Sequence, residues 1–88
     1  NNSFTLFYAD WCSHSTNANK VFERLSNDQK LHKLNITFNR FNCMQDVQQC
    51  LQYGVENYPW LTYTSNGETF VYIGWRDYQS MYNFLIRQ

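Results

Sequence analysis

An apolar run close to the start of the chain, from Phe4 to Ala9, constrains the possible folds more than any other segment. It reads Phe-Thr-Leu-Phe-Tyr-Ala and lacks the polar–apolar alternation of a strand with one face in solvent. Runs of this kind are typical of strands buried on both faces, as in sheets that carry helices on each side. We therefore expect a central strand here, covered by layers that the rest of the chain supplies.

Periodic patterns predict helices and a further strand after this run. One helix is indicated by apolar residues at positions i, i+3, i+4 and i+7, namely Ala18, Val21, Phe22 and Leu25. A second strand is indicated by apolar–polar alternation over Ile36, Thr37, Phe38 and Asn39. A short second helix, in a segment that ends at Gly54, is indicated by helical spacing of Val47, Cys50 and Leu51.

The last third of the chain predicts a hairpin followed by a helix. Residues 60–64 and 69–73 flank Ser65-Asn66-Gly67-Glu68, and an Asn-Gly pair tolerates the positive φ angles of a tight hairpin. Asp77 can cap a final helix with an apolar face made of Tyr78, Met81, Tyr82 and Leu85. A helical crossover makes the first two strands parallel and the hairpin makes the last two antiparallel. The patterns therefore predict an α/β fold with a mixed sheet.

Length and composition set limits on the class of protein. The chain has 88 residues, enough for a single domain over residues 1–88 with one core. Aromatic residues make up 19% of it and charged residues 16%, as in globular rather than disordered proteins. The formal net charge is zero and no basic cluster is present, which argues against a nucleic-acid partner. No apolar run approaches the ~20 residues that span a bilayer, so no membrane contact is expected.

The segment Trp11-Cys12-Ser13-His14-Ser15 lies between the apolar run and the first helical pattern. It places Cys12 at a helix N-terminus, where exposed N–H groups favour the thiolate over the thiol. The thiolate is the form that attacks disulfides, so Cys12 is the candidate nucleophile. The alternative is a buried structural cysteine, and the polar neighbours Ser13 and His14 argue against it.

Three blocks of the sequence resemble the protein disulfide isomerase family. Residues 7–15, Phe-Tyr-Ala-Asp-Trp-Cys-Ser-His-Ser, are similar to its active-site segment Phe-Tyr-Ala-Pro-Trp-Cys-Gly-His-Cys. Cys43, Cys50 and residues 53–59, Tyr-Gly-Val-Glu-Asn-Tyr-Pro, are similar to the family's second block. Residues 74–76, Gly-Trp-Arg, resemble the Gly-Pro-Arg that precedes the family's last helix. The blocks follow one another in the family's order and cover nearly the whole chain.

The resemblance implies a thioredoxin-like fold, with a central mixed four-stranded sheet flanked by helices. It also implies that the first strand–helix unit of a full thioredoxin domain is absent from this chain. Either the chain is a minimal version of the fold, or that unit lies outside it. The two readings differ in whether one edge of the sheet is left open.

The resemblance assigns roles to four catalytic positions, namely Cys12, Ser15, His14 and Arg76. Cys12 matches the family's nucleophile, and His14 matches a histidine that favours the thiolate, with a solvated turn histidine as the alternative. Arg76 matches an arginine that tunes the proton of the second cysteine, although a plain surface arginine fits as well. Substrate-binding positions are Trp11, Tyr58 and Pro59. In the family the tyrosine–proline pair supplies a cis-proline, and its loop leaves backbone groups free to pair with an extended substrate.

Cys43 and Cys50 form a pair whose role differs from that of Cys12. Similar family members carry a structural disulfide at this spacing, and closing so short a loop stabilises by roughly 2–3 kcal/mol in the chain-entropy model. Two free buried thiols are the alternative. A zinc site fails on ligand count, because His14 and His32 show no finger-like spacing to these cysteines. No metal or other cofactor is expected.

Two departures from the family pattern bear on the chemistry. Ser15 stands where the family has its resolving cysteine, so Cys12 cannot form an internal disulfide there. Leu6 stands where the family commonly has a buried glutamate that moves the second cysteine's proton. The two changes agree with each other, because without a second thiol there is no proton to move. A mixed disulfide on Cys12 would then persist until an outside thiol attacks it.

These features lead to three hypotheses. In the first, the domain forms mixed disulfides with client protein cysteines through Cys12, as a monothiol isomerase, chaperone or retention device, and glutathione or a partner oxidoreductase releases the client. In the second, it is a dithiol oxidoreductase in which Ser15 replaces a native cysteine to trap clients. In the third, it is a non-catalytic protein-binding module. A disulfide, together with sequons at Asn1 and Asn35, is compatible with the endoplasmic reticulum lumen or another secretory compartment.

Overall fold

The computed structural model describes residues 2–88, so Asn1, the glycosylation acceptor of the first sequon, lies outside the described residues. Eight elements follow one another along the chain: β1 (Asn2–Tyr8), α1 (Ser13–Ser26), α2 (Gln29–Lys33), β2 (Ile36–Asn42), α3 (Val47–Gln52), β3 (Trp60–Ser65), β4 (Glu68–Val71) and α4 (Tyr78–Ile86). None of the helices in this part of the chain is long and apolar enough to cross a membrane.

The strands form one mixed four-stranded sheet in the order β2-β1-β3-β4. β1 pairs parallel with β2 and antiparallel with β3, and β3 pairs antiparallel with β4. The predicted mixed sheet is therefore confirmed. β1 lies between two other strands, and Phe4, Leu6 and Phe7 are fully buried. This placement explains why the run that begins at Phe4 shows no polar–apolar alternation.

The two faces of the sheet carry cores of different size, because successive side chains of a strand point to opposite faces. The face covered by α1 and α4 holds the main core: Phe4, Leu6, Ala18, Phe22, Leu25, Leu31, Ile36, Leu61, Tyr63, Met81 and Leu85. The other cluster, the minor core, has three buried members, namely Phe7, Cys43 and Cys50. Around the minor core pack the partly buried side chains of Phe41, Val55, Tyr58 and Trp60.

The hairpin and the last helix form as predicted. Asn66 and Gly67 have φ angles of 55° and 81°, the positive values that a two-residue turn of the primed type requires. The Asp77 side chain accepts a hydrogen bond from the Ser80 N–H at 2.8 Å and caps α4. The fourth strand is shorter than predicted. Its last ladder bond runs from Tyr72 N–H to the Leu61 carbonyl at 2.8 Å, and beyond it Ile73 is 91% exposed.

Two helical details differ from the sequence expectation. Helix α2 was not predicted, and it begins because the Asp28 carboxylate accepts from the N–H groups of Lys30 and Leu31. Helix α3 is present, but of its three spaced apolar residues only Cys50 is buried, whereas Val47 and Leu51 are exposed. Six residues make fewer than two helical turns, so the minor core receives a single side chain from this helix.

Candidate active site

Cys12 lies at the point where the chain turns from β1 into α1. Its N–H donates to the Ala9 carbonyl at 3.1 Å, which closes the turn, and its own carbonyl accepts from Ser15 N–H at 3.0 Å and Thr16 N–H at 3.3 Å. Cys12 is therefore the N-cap residue of α1, with extended backbone angles, and its side chain is partly exposed. The strand and the helix thus hold the partly exposed sulfur at the edge of the fold.

Local hydrogen bonds lower the pKa of the Cys12 thiol. The largest contribution comes from the backbone N–H of Ser15, and partial burial opposes it. The N–H of His14, the side chain of Ser15 and the positive charge of Arg76 lower the pKa further. Free N–H groups at a helix start stabilise a negative sulfur. Cys12 is thus held in an environment that favours the nucleophilic form.

The loop with the single proline faces this sulfur. The Tyr58–Pro59 peptide bond is cis, and the Cys12 thiol donates a weak hydrogen bond to the Tyr58 carbonyl at a sulfur–oxygen distance of 3.8 Å. Trp11 packs edge-on against the Tyr58 ring, with centroids 5.8 Å apart. The three residues expected to bind a client are therefore brought together beside Cys12.

Ser15 is almost completely buried, with 1% of its surface exposed. Its hydroxyl oxygen accepts from Ala9 N–H at 3.3 Å, which ties the first turn of α1 to the end of β1. The side chain of Leu6, at the position where the family commonly has glutamate, is fully buried in the main core. A buried carboxylate that could accept a proton from position 15 is thus replaced by an apolar group.

The other two candidate catalytic residues are exposed. The His14 side chain points away from the core, and the contribution of this residue to the Cys12 pKa comes from its backbone N–H. Arg76 lies in the loop between β4 and α4, and its positive charge makes a small contribution to the lowered pKa of Cys12. The structure therefore brings both residues near the sulfur, one through its backbone and the other through its charge.

An open groove of about 410 Å³ runs between the cis-proline loop and the loop before α4. Its lining includes Pro59, Ile73, Trp75 and Arg76. The shape of this wall depends on Gly74, because a Cβ atom there would lie 2.8 Å from the Tyr72 hydroxyl oxygen. That hydroxyl donates to the Trp75 carbonyl at 2.6 Å and holds the loop in place.

Cys43 and Cys50 are joined by a disulfide bond, with Cα atoms 5.8 Å apart. Cys43 N–H donates to the Tyr8 carbonyl at 2.8 Å, so the bridge lies directly beside the end of β1. Within residues 2–88, Cys12 is the one free cysteine. Over the same residues, no group of three or more His, Cys, Asp and Glu side chains has the arrangement of a metal site.

Three residues that support the site were not found by sequence reasoning. The Asn42 amide donates to the Asp10 carboxylate at 2.9 Å, and its oxygen accepts from Met44 N–H at 3.0 Å. The Trp11 indole N–H in turn lies 3.2 Å from the Met44 sulfur. The turn that carries Cys12 is therefore fastened at two points to the loop that holds the disulfide. The only sequence signal was Asp10, which stands where the resembling family has proline.

Comparisons with known proteins agree with this geometry. The thioredoxin family model matches residues 2–87. Protein disulfide-isomerase of Arthroderma benhamiae is 34% identical over 55 residues, which cover 62% of this chain and 10% of that protein. The thioredoxin domain-containing protein 5 homolog of Drosophila melanogaster is 27% identical over 85 residues, which cover 96% of this chain and 20% of that protein. The chain thus spans a tenth to a fifth of the lengths of these relatives.

Solved structures show the same fold. The crystal structure of human ERp44 superposes with a TM-score of 0.88 at 27% identity, covering 98% of this chain and 27% of that one. The first two thioredoxin domains of Saccharomyces cerevisiae Eps1p give a TM-score of 0.87 at 21% identity, covering 98% of this chain and 34% of that one, which supports the fold alone. The resemblance to protein disulfide isomerases and the predicted fold are confirmed. The chain belongs to the thioredoxin family.

Proposed function

We propose that the chain engages client protein cysteines covalently, through mixed disulfides on Cys12. One observation carries this proposal: a partly exposed thiol with a lowered pKa stands at the start of α1 without a second thiol to complete a redox pair. The expected position of that second thiol is occupied by Ser15, and the other two cysteines are bonded to each other. Capture is therefore favoured over internal oxidation and reduction.

The chemistry is a thiol–disulfide exchange. The Cys12 thiolate attacks one sulfur of a client disulfide, a bond forms between the two sulfurs, and the other client sulfur leaves as a thiolate. A reduced client enters through glutathione disulfide. Cys12 first attacks the glutathione disulfide and expels one glutathione thiolate, and a client thiolate then attacks Cys12 and expels the second. Neither route needs a redox cofactor.

Release of the client requires a thiol from outside the chain. A free thiolate of glutathione, of the client or of a partner oxidoreductase attacks the mixed disulfide, and no group within the site can replace it. The captured state therefore lasts as long as such thiols are scarce. This property suits a monothiol isomerase, a chaperone or a device that retains unassembled clients.

The surroundings of Cys12 suit an extended, unfolded client. Trp11, Trp75 and Ile73 are 68%, 80% and 91% exposed. Trp11 precedes Cys12 directly in the chain, and Trp75 and Ile73 line the groove beside the cis-proline loop. Contiguous exposed apolar patches commonly mark sites of contact. Apolar client residues next to the reacting cysteine would cover these side chains. Unfolded clients expose such residues, whereas folded clients bury them.

The same proposal assigns the chain to an oxidising secretory compartment, such as the endoplasmic reticulum lumen. The Cys43–Cys50 disulfide supports this assignment, because structural disulfides persist there and are rare in the cytosol. The exposed acceptor Asn35 of the second sequon is compatible with it. Nucleic acid and membrane are not among the proposed partners.

The test uses a reduced, unfolded secretory protein incubated with the chain in a glutathione buffer and run on non-reducing gels. We expect adducts that dithiothreitol removes and that the Cys12→Ala variant does not form. The Ser13→Ala variant, which changes an exposed hydroxyl next to the sulfur, is the matched control and should form adducts normally. Absence of adducts, or adducts that persist in Cys12→Ala, contradicts covalent capture through Cys12. The non-catalytic binding module is then the remaining hypothesis.

A dithiol oxidoreductase altered at position 15 is the second candidate, favoured by the agreement of residues 7–9, 11, 12 and 14 with the family's active-site segment. The two candidates differ in the expected behaviour of Ser15→Cys. If a native cysteine had been replaced, this variant should reduce insulin at rates typical of the family. If Ser15 is native, Leu6 leaves the new thiol without a buried proton acceptor, and reduction should remain slow.

A further inference from the structure

The turn between α2 and β2 carries a complete acceptor pattern for an N-linked glycan. Asn35-Ile36-Thr37 matches Asn-x-Ser/Thr with a middle residue other than proline. Asn35 and Thr37 are exposed, whereas Ile36 between them is only 7% exposed and belongs to the main core. The buried isoleucine therefore anchors the segment, while the two side chains that define the acceptor pattern remain at the surface.

The backbone of Asn35, rather than its side chain, forms this turn. Its φ angle is 60°, a left-handed value that asparagine adopts more readily than most residues. Its N–H donates to the His32 carbonyl at 3.0 Å. A sugar on the side-chain amide nitrogen leaves the φ angle and this hydrogen bond in place. The folded turn can therefore carry a glycan without losing the bond that closes it.

The other sequon of the chain lies at the same end of the sheet. β1 and β2 run parallel, and their register pairs the second residues of the two sequons, Asn2 and Ile36, with each other. It likewise pairs the third residues, Ser3 and Thr37. The described residues of both sequons are therefore direct neighbours, at the end of the sheet where β1 and β2 begin.

Cys12 lies at the opposite end of the sheet. It follows the end of β1, whereas Asn35 precedes the start of the parallel strand β2. β2 has seven residues, so the two ends lie about 23 Å apart at a rise of about 3.3 Å per residue. A glycan on Asn35 is therefore attached far from the reactive sulfur and from the groove beside the cis-proline loop.

We propose that Asn35 is an N-glycosylation site whose glycan covers the end of the fold opposite Cys12. An oligosaccharide is transferred to the Asn35 amide from a lipid-linked diphosphate donor. The bond between Nδ2 and C1 of the first sugar forms, the bond between C1 and the donor phosphate breaks, the lipid diphosphate leaves, and Nδ2 loses one proton. The inference rests on the secretory compartment proposed above, because acceptor asparagines of this pattern are modified in secreted proteins.

The experiment directs the chain into the secretory pathway of cultured cells with a cleavable signal peptide. The purified protein is treated with peptide N-glycosidase F in ¹⁸O-labelled water and mapped by mass spectrometry, which separates a glycan on Asn35 from one on Asn1. The enzyme converts a glycosylated asparagine to aspartate, so we expect ¹⁸O-labelled aspartate at position 35. An unlabelled Asn35 in the wild-type chain overturns the proposal.

Matched variants separate the acceptor pattern from the loss of an asparagine as such. Asn35→Gln and Thr37→Ala should lose the glycan at this position, whereas Thr37→Ser should retain it. Asn17→Gln, at an exposed asparagine outside any sequon, should also retain it. A glycan at position 35 that persists in Thr37→Ala would contradict the assigned acceptor pattern.

A second measurement tests the position of the glycan relative to the reactive thiol. A bulky maleimide should alkylate Cys12 at the same rate before and after enzymatic removal of the glycan, because the two sites lie at opposite ends of the sheet. Faster alkylation after removal would contradict that placement. If Asn35 is occupied but no client adducts form, the glycan stands and covalent capture is rejected. Adducts on Cys12 without a glycan on Asn35 reject the present inference alone.

Discussion

The two sides of the sheet are built on different principles. The main core is a broad apolar layer between the sheet and helices α1 and α4, and Phe4 at its centre contacts four other aromatic rings. The minor core has three buried members, and two of them are the half-cystines Cys43 and Cys50. Where apolar area is plentiful, burial holds the layers together, and where it is scarce, a covalent bond takes over.

The two cores also support different parts of the candidate site. The turn that carries Cys12 is held on the side of the minor core by two contacts, one between Asp10 and Asn42 and one between Trp11 and Met44. The cis-proline loop belongs to the same side, because Tyr58 packs against the minor core. The main core therefore fixes the position of the strand and helix that carry Cys12, while the minor core fixes the surface around it.

The largest loss in the free energy of unfolding should come from truncation of a side chain in the main core. Phe4→Ala removes a fully buried ring and leaves a cavity, which for phenylalanine typically costs about 3–5 kcal/mol. Urea unfolding followed by circular dichroism measures the change in the free energy of unfolding. Phe70→Ala, at a ring that is 55% exposed, is the matched control and should change it by less than about 0.5 kcal/mol. Similar losses in both variants would contradict the assignment of the core.

Removing the disulfide should have the next largest effect. The Cys43→Ala/Cys50→Ala double variant should lose roughly 2–3 kcal/mol of stability, because the unfolded chain is no longer restrained by the short loop. Reduction of the wild-type chain should move its urea midpoint to that of the double variant. Dithiothreitol should leave the variant itself unchanged. A double variant as stable as wild type would show that the minor core holds without its covalent bond.

A smaller loss of stability is expected when the hydrogen bond between Tyr78 and Asp28 is removed. The Tyr78 hydroxyl donates to the Asp28 carboxylate at 2.6 Å, and this bond, more than the N–H groups of Leu31 and Lys30, lowers the pKa of Asp28. Tyr78→Phe should cost about 1 kcal/mol near neutral pH, since both groups are only partly buried. Tyr82→Phe, in the ring stacked on Tyr78, is the control.

The pH dependence of that loss follows from the direction of the shift. A carboxylate with a lowered folded pKa stabilises the fold above its unfolded pKa of about 3.9, and this stabilisation disappears as the pH falls through the folded value. The stability gap between wild type and Tyr78→Phe should therefore be complete near pH 7 and close in acid. A gap that stays constant down to pH 2 would mean that the Asp28 carboxylate is not the partner that matters.

The smallest change in stability should come from the link between the minor core and the site. Met44→Leu preserves volume but removes the sulfur that faces the Trp11 indole N–H at 3.2 Å. Since both side chains are exposed, the free energy of unfolding should change by less than about 0.5 kcal/mol. The Trp11 indole resonance in an ¹H–¹⁵N spectrum should nevertheless move. Val47→Ala, at an exposed neighbour, should leave that resonance in place.

Local patterns were enough to predict most of the fold. The buried central strand, the Asn66–Gly67 turn and the Asp77 cap follow from neighbouring residues, because burial on both faces, positive φ and N-capping are local requirements. Helix α2 was missed because five residues give too short a pattern to recognise. The predicted strand beyond Val71 is wrong because the chain leaves β3 after the bond from Tyr72 N–H to the Leu61 carbonyl, and a local pattern does not report where two strands separate.

The site was predictable only in part. Cys12 and the cis-proline loop were found through motifs, which are local in sequence. The supporting contacts from Asp10 to Asn42 join positions 32 residues apart, and no spacing rule connects them. The burial of Ser15 is likewise a tertiary property, since a polar residue in the first turn of a helix is ordinarily expected to face solvent.

The central claim is that the chain presents one exchange-competent sulfur and keeps its other two locked. Intact-mass analysis after incubation with glutathione disulfide, followed by peptide mapping, tests it directly. We expect one glutathione per chain, carried by Cys12, with the Cys43–Cys50 bond intact. An unmodified chain, or glutathione found on Cys43 or Cys50, would contradict it.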